Sequence, residues 1–145
     1  MKSLSFSDGR ESFMVNNDPD RVIRFNPADP EIINRILKLQ NDFQDYDPGE
    51  AILLNPDGSR KSDLEAGGAF VAEFTNAMRA AINEVFNADV YDTIFDGQSP
   101  LCIVGQKYLF EEVLEGLVAL MKPAIEKYNR KNQDKMAKYL GDIQG

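Results

Sequence analysis

The strongest constraint on the fold is the run Arg21-Val22-Ile23-Arg24-Phe25-Asn26-Pro27-Ala28-Asp29-Pro30-Glu31, continued by Ile32-Ile33-Asn34-Arg35-Ile36-Leu37. Its first five residues read as the end of a β region, and Asn-Pro and Asp-Pro then stop the strand. Asp29 can cap a helix through its side-chain oxygen, and Pro30 at the first helical position gives up only an amide that has no helical partner. A β-rich N-terminus therefore hands over to a helical remainder within a few residues. Upstream, Leu4 and Phe6 alternate with serines, Asp8-Gly9 supplies a turn, and Phe13 and Val15 alternate with Ser12, Met14 and Asn16. A second turn at Asn16-Asn17-Asp18-Pro19-Asp20 leads into Arg21 to Phe25. This pattern predicts three short strands, an antiparallel β-meander over residues 1–27.

Downstream, residues 29–43 carry Ile32, Ile33, Ile36, Leu37, Gln40 and Phe43 at helical spacing, an amphipathic helix packed partly on the meander. Residues 44–68 form a long loop or insertion rich in Asp, Asn, Pro and Gly, with room for one short strand at Ile52 to Leu54 beside the meander. Helicity resumes near Ser62-Asp63 and continues to about Asn87, with Phe70, Val71, Phe74, Met78, Ile82, Val85 and Phe86 as its stripe. A brief helix at Val90 to Phe95, with Asp89 as its cap, is closed by Asp96-Gly97. The apolar piece Leu101-Cys102-Ile103-Val104 fits a helical turn or a strand equally well. A last helix from Tyr108 to about Tyr139 turns Phe110, Val113, Leu114, Leu117, Met121, Ile125 and Tyr128 inward, with a kink or break expected at Pro123. Residues 69–128 are thus a helical body and 129–145 a basic C-terminal helix or tail. The expected architecture is one α+β domain, helix-dominated, with a small meander against an amphipathic bundle.

At 145 residues the chain can bury a core without covalent staples. Cys102 stands alone and histidine is absent, which excludes an intrachain disulfide, Ser-His-Asp and Cys-His nucleophiles, and ordinary zinc sites. The net charge of -8 is uneven. From Lys122 onward six bases face three acids, a balance of +3, which leaves -11 for the first 121 residues. An acidic body disfavours nucleic acid and anionic membranes, because phosphate binding draws on Lys and Arg. The start of the chain lacks the apolar core of a secretory signal, and no apolar run approaches a membrane span, so a cytosolic protein is expected.

Little else in the sequence offers chemistry. Asp42, Asp45, Asp47, Glu50 and Asp57 invite a calcium site, yet no register supplies the ligand spacing of an EF-hand. Glu111, Glu112 and Glu115 could share acid and base roles, but beside an apolar stripe they read as its polar border. Cys102 lies in apolar context with no neighbouring cation to activate it. No Gly-rich phosphate loop is present. Neither a cofactor nor a catalytic residue is expected, and the chain reads as a non-enzyme. The amphipathic helices, with Phe70, Phe74, Phe86, Phe95 and Phe110 among nine phenylalanines, supply either a well-filled core or a residual apolar face for a partner.

The stretch Ser5-Phe6-Ser7-Asp8-Gly9 with Phe13, followed by Asn17-Asp18-Pro19-Asp20-Arg21-Val22-Ile23-Arg24-Phe25-Asn26-Pro27-Ala28-Asp29-Pro30, resembles a family encoded in tail gene clusters of Firmicutes phages and prophages. Its members are small tail assembly chaperones or tail-module proteins. A fainter echo runs through Asn87 to Gly97, whereas residues 44–68 depart from the family's shorter connection. The resemblance implies a protein that binds the long, hydrophobic tape-measure protein, keeps it soluble, and lets tail-tube subunits polymerise around it. Such a protein works in the cytoplasm of the bacterial host and self-associates along its client. The alternative, from a structural class, is a virion component of the tail, such as a tail-completion or connector protein that stays in the particle. The stripe residues Phe70, Phe74, Met78, Phe110, Leu114, Leu117 and Met121 are the expected partner-binding set.

Overall fold

The computed structural model describes residues 1–144. A hairpin of β1 (Glu11–Val15) and β2 (Asp18–Phe25) is followed by α1 (Pro30–Gln44), a 3-10 turn (Glu50–Leu53), α2 (Asp63–Phe86) and α3 (Tyr91–Phe95). A second, minimal hairpin of β3 (Ile103–Val104) and β4 (Lys107–Tyr108) then enters the long α4 (Leu109–Gln144). The α+β, helix-dominated architecture read from the sequence is present, with a two-stranded hairpin in place of the three-stranded meander. Residues 1–10 form no strand, and Leu4 and Phe6 lie exposed.

The difference turns on which turn is used. Asp8-Gly9 and Asn16-Asn17 both reach positive φ, but only the second joins paired strands, with Asn16 at φ 51° and Asn17 at φ 59° as a type I′ connection requires. Phe13 finds an aromatic partner in Phe25, ring centroids 4.9 Å apart, and Phe25 in turn meets Phe86 at 5.0 Å. Leu4 and Phe6 have no comparable surface to cover, so strand pairing there would gain little burial. Gly9 instead sits against Asn26, whose amide donates to the Asp8 carbonyl at 3.3 Å. A Cβ at Gly9 would lie 2.7 Å from that amide, so glycine is required by space as well as by its φ of 74°.

The β1–β2 register slips between Met14 and Val15, where the partner jumps from Val22 to Asp18. This irregularity accommodates Pro19 inside a strand, since the unpaired residues need no ladder donor. It also frees Arg21 to reach α3, donating from Nε to Thr93 O at 3.0 Å and from Nη2 to Ile94 O at 2.7 Å. Those carbonyls end a helix and have no internal partner, so a guanidinium satisfies both need and dipole.

The helix boundaries follow local chemistry. Asp29 accepts from Glu31 N at 3.0 Å, with Pro30 at the first position. Ser62 Oγ accepts from Glu65 N at 3.2 Å and so caps the helix, and its hydroxyl donates to the Glu65 carboxylate at 2.8 Å. The helix thus already occupies the last residues of the 44–68 excursion. The rest of that excursion folds as the 3-10 turn and a bridge between Leu54 and Arg60, and no strand there joins the hairpin. α2 closes on Asn87 at φ 50°. From inside α2, Asn83 Oδ1 accepts from both Val90 N and Tyr91 N and so caps the start of α3, a role the sequence pattern assigned to Asp89.

One apolar cluster joins all of this. It contains Ile23 and Phe25 of β2, Ile32, Ile36 and Leu39 of α1, Phe74, Met78, Ile82 and Val85 of α2, and Tyr91, Ile94 and Phe95 of α3. Leu114, Leu117 and Met121 close it from α4. In α1 the buried stripe uses Leu39, while Leu37 faces water. α4 runs unbroken through Pro123, and Tyr128, expected inward, is exposed. Gly145 lies outside the described residues.

Candidate functional site

Two grooves flank the first half of α4. The hairpin groove, about 550 Å³, is floored by Phe13, Val15 and Ile23 of the hairpin, Ile94 and Phe95 of α3, and Val113 and Leu117 of α4. Its rim carries apolar Met14, Val104 and Leu120, 55%, 43% and 40% exposed, beside polar Asn16 and Gln98. Arg21 and Glu112 are its charged members. Exposed apolar side chains beside an apolar floor gain free energy when a partner covers them.

The aromatic groove, about 650 Å³, lies on the other side of α4, between that helix and the ends of α1 and α2. Phe43 stacks on Tyr46 at 5.3 Å, Tyr46 meets Phe74 edge-on at 5.2 Å, and Phe110 lies 5.2 Å from Phe74. Tyr108 stacks on Phe110 at 5.9 Å and extends the wall. The charged members of this groove are Glu111 and Glu115. Glu115 is held by Lys107, Nζ to Oε1 2.6 Å, and this contact raises the lysine above its ordinary pKa. Glu111 accepts from Tyr108 N at 3.3 Å. The Tyr46 hydroxyl is raised, first by loss of water contact and second by the nearby Glu73 carboxylate.

The expected partner-binding stripe divides between these environments. Phe70 and Phe110 are half-buried and line the aromatic groove, whose floor is Phe74 and Leu114. Leu117 floors the hairpin groove. Phe74, Met78, Leu114, Leu117 and Met121 are all core residues, 0–6% exposed. Their burial has a simple cause, since a stripe at helical spacing is what a helix turns toward its own body. The groove walls that the stripe omitted are Phe13, Val15, Phe43, Tyr46 and Tyr108, with Met14, Val104 and Leu120 at the rim. Phe43 and Tyr46 were within reach of a sequence argument, being aromatic residues at i and i+3 leading into the acidic excursion.

The acidic residues of that excursion build turns. Asp47 Oδ1 accepts from Gly49 N at 2.8 Å, and Asp57 Oδ1 accepts from Ser59 N at 2.9 Å and Ser59 Oγ at 2.6 Å. The Ser59 hydroxyl, then its amide, holds the Asp57 carboxyl below its ordinary range. No group of three or more His, Cys, Asp or Glu converges to hold a metal among the described residues. No helix among them is long and apolar enough to cross a membrane. Cys102 is a free, half-buried thiol.

No protein-family model matches the chain, and no solved structure matches it. A segment of 89 residues is similar, at 34% identity, to part of an ATP-dependent helicase/nuclease component from Streptococcus mutans serotype c. The segment covers 61% of this chain and 7% of that protein. A likeness confined to so small a part of a large protein carries no activity across, and this chain holds no Gly-rich loop with lysine that could cradle a nucleotide phosphate.

Proposed function

We propose that the protein is a non-enzymatic phage tail assembly chaperone that shields an apolar helical segment of the tape-measure protein in its hairpin groove. The single observation that carries the reading is the exposure of apolar Met14, Val104 and Leu120 on the rim beside an apolar floor. An amphipathic or wholly apolar client helix laid there covers the rim and gains burial at about 25 cal/mol per Å². The strongly acidic body around the groove keeps such a complex dispersed in the host cytoplasm. The resemblance of residues 5–30 to phage tail-module proteins supplies the identity of the client, with the tail tube protein as a second partner.

Co-expression with the tape-measure protein tests this. The expected result is a soluble client that co-purifies with the chain, and loss of both effects in Leu120→Asp and Met14→Asp, whose side chains are exposed and leave the core intact. An equally insoluble client and no recovered complex would overturn the proposal. So would stoichiometric presence of the chain in purified virions, which would place it among the structural tail components.

A further inference from the structure

The chain holds one of its own guanidinium groups between a ring and a carboxylate. Arg79 lies over the Tyr91 ring, 4.4 Å from its centroid, and its Nη1 donates to Asp92 Oδ1 at 2.6 Å. The ring face carries the negative part of the aromatic quadrupole, and the carboxylate takes N–H groups that the ring leaves over. The aromatic groove beside α4 presents the same two kinds of surface, and none of the described residues lining it is basic.

Phe43, Tyr46, Phe70 and Phe110 are half-buried in that groove, so each keeps surface for a ligand, and Tyr108 stands 45% exposed at the end of the wall. The two acids there are not equivalent. Glu115 is spent on Lys107, whose Nζ reaches both of its oxygens, at 2.6 and 2.7 Å. Glu111 is half-buried, accepts one bond from Tyr108 N at 3.3 Å, and forms no ion pair among the described residues. Lys107 is near enough to feel Glu111, but its short contacts all go to Glu115. Gln40, Asn41 and Gln44 bring the end of α1 to the same groove, and the last turn of that helix has no basic residue to offset the partial negative charge of its carbonyls.

An anion is repelled here on every count. A purely apolar segment covers the rings but shuts the Glu111 carboxylate away from water without a partner, which costs free energy. An arginine side chain satisfies the whole groove, because its planar, weakly hydrated guanidinium stacks on a ring, forks to a carboxylate, and trails an apolar stem that packs on the remaining rings. The exposed amides of Gln40, Asn41 and Gln44 offer donors and acceptors to the backbone on either side of it. We propose that the aromatic groove binds an arginine side chain presented by a peptide segment of another protein, with the guanidinium held between the aromatic wall and Glu111. The site lies across α4 from the groove assigned to the client, and it stands or falls independently of that assignment.

The test is an NMR titration of the isotope-labelled full-length protein with the end-capped tripeptide leucyl-arginyl-leucine, and with the same peptide carrying citrulline, which keeps the shape of arginine without its charge. The expected result is a set of amide shifts centred on Tyr46, Phe70 and Glu111, with affinity lower by about fivefold or more for the citrulline peptide. Glu111→Gln keeps an acceptor for Tyr108 N while removing the charge, and should weaken the arginine peptide by about threefold or more. Glu126→Gln removes the same charge from an exposed position elsewhere on α4 and should leave the affinity unchanged, with circular dichroism confirming that both variants are folded. Equal affinity for the two peptides overturns the proposal, since the groove then reads only apolar shape. Equal losses in the two variants, no loss in Glu111→Gln, or shifts centred elsewhere also overturn it and leave only the general attraction of an acidic body for a cation. Guanidinium chloride alone, if it reproduces the shifts at the same concentrations, overturns the assignment to a peptide, and so does the absence of any shift.

Discussion

The two halves of α4 are one helix under two regimes. From Leu109 to Met121 it is held by tertiary burial, with Leu114, Leu117 and Met121 in the core and Val113 and Phe110 packed against it. From Lys122 on it carries charge on most faces and no described side chain is fully buried. The near half is specified by the body it covers. The far half depends on propensity and helix-end chemistry, which rarely suffice for a stable helix in water. That asymmetry teaches that one continuous helix can owe its two ends to different causes, burial at one and local propensity at the other.

The largest expected effect breaks the comparison in the near half. Met121→Ala removes a side chain with no exposed surface and should cost about 2–5 kcal/mol in denaturant unfolding. The same truncation seven residues further on, Tyr128→Ala, should stay within about 0.5 kcal/mol. Equal losses at the two positions would mean that the far half is packed after all.

Pro123 sits at the junction. Pro123→Ala restores an amide donor and removes the ring clash, and should raise helicity and unfolding stability by up to about 3 kcal/mol. Unchanged ellipticity would show that the two halves do not propagate helix into each other. Gly116 offers a finer adjustment. A Cβ there meets nothing within 4 Å, so Gly116→Ala should stabilise the near half by about 0.5–1 kcal/mol, read as a higher melting temperature. No gain would point to a close neighbour at that position.

The smallest effect is electrostatic. Lys107, held by Glu115, has a raised pKa in the folded state. Its contribution is therefore present below the unfolded value of about 10.4 and is lost as pH rises through the folded value. The difference in melting temperature between the native protein and Lys107→Gln should be flat across neutral pH and shrink only in strong alkali. A difference that changes between pH 6 and 8 would implicate another group. The pair is exposed at the surface, so the shift should be slight at any pH.

How much of this was legible depends on whether a signal is local. Asp29-Pro30 and Ser62 name their own helix starts, because the capping atoms lie within three residues of the amides they serve. The α2 stripe was readable from its spacing except at Val71, which faces water. The turn was harder, since Asp8-Gly9 and Asn16-Asn17 are both good turn formers, and what selected between them was the distant surface of Phe25 and Phe86. The choice of Leu39 over Leu37 in α1 is of the same kind, decided by where α2 and α4 lie. Spacing identified Phe74, Met78, Leu114 and Met121 as apolar stripe residues. It carried no information on whether the stripe met a partner or the chain's own body.

By itself, then, the sequence determined the helix starts at Asp29 and Ser62, the helix-dominated α+β class, the acidic body with a basic end, and the absence of histidine chemistry. Those properties are fixed by composition or by contacts a few residues apart. Tertiary structure alone decided which strands paired, how Arg21 reached across to the end of α3, and where two grooves opened on either side of α4. Grooves are what remains after packing is satisfied, and residues as far apart as Phe13 and Leu120 must be brought together before such a surface exists.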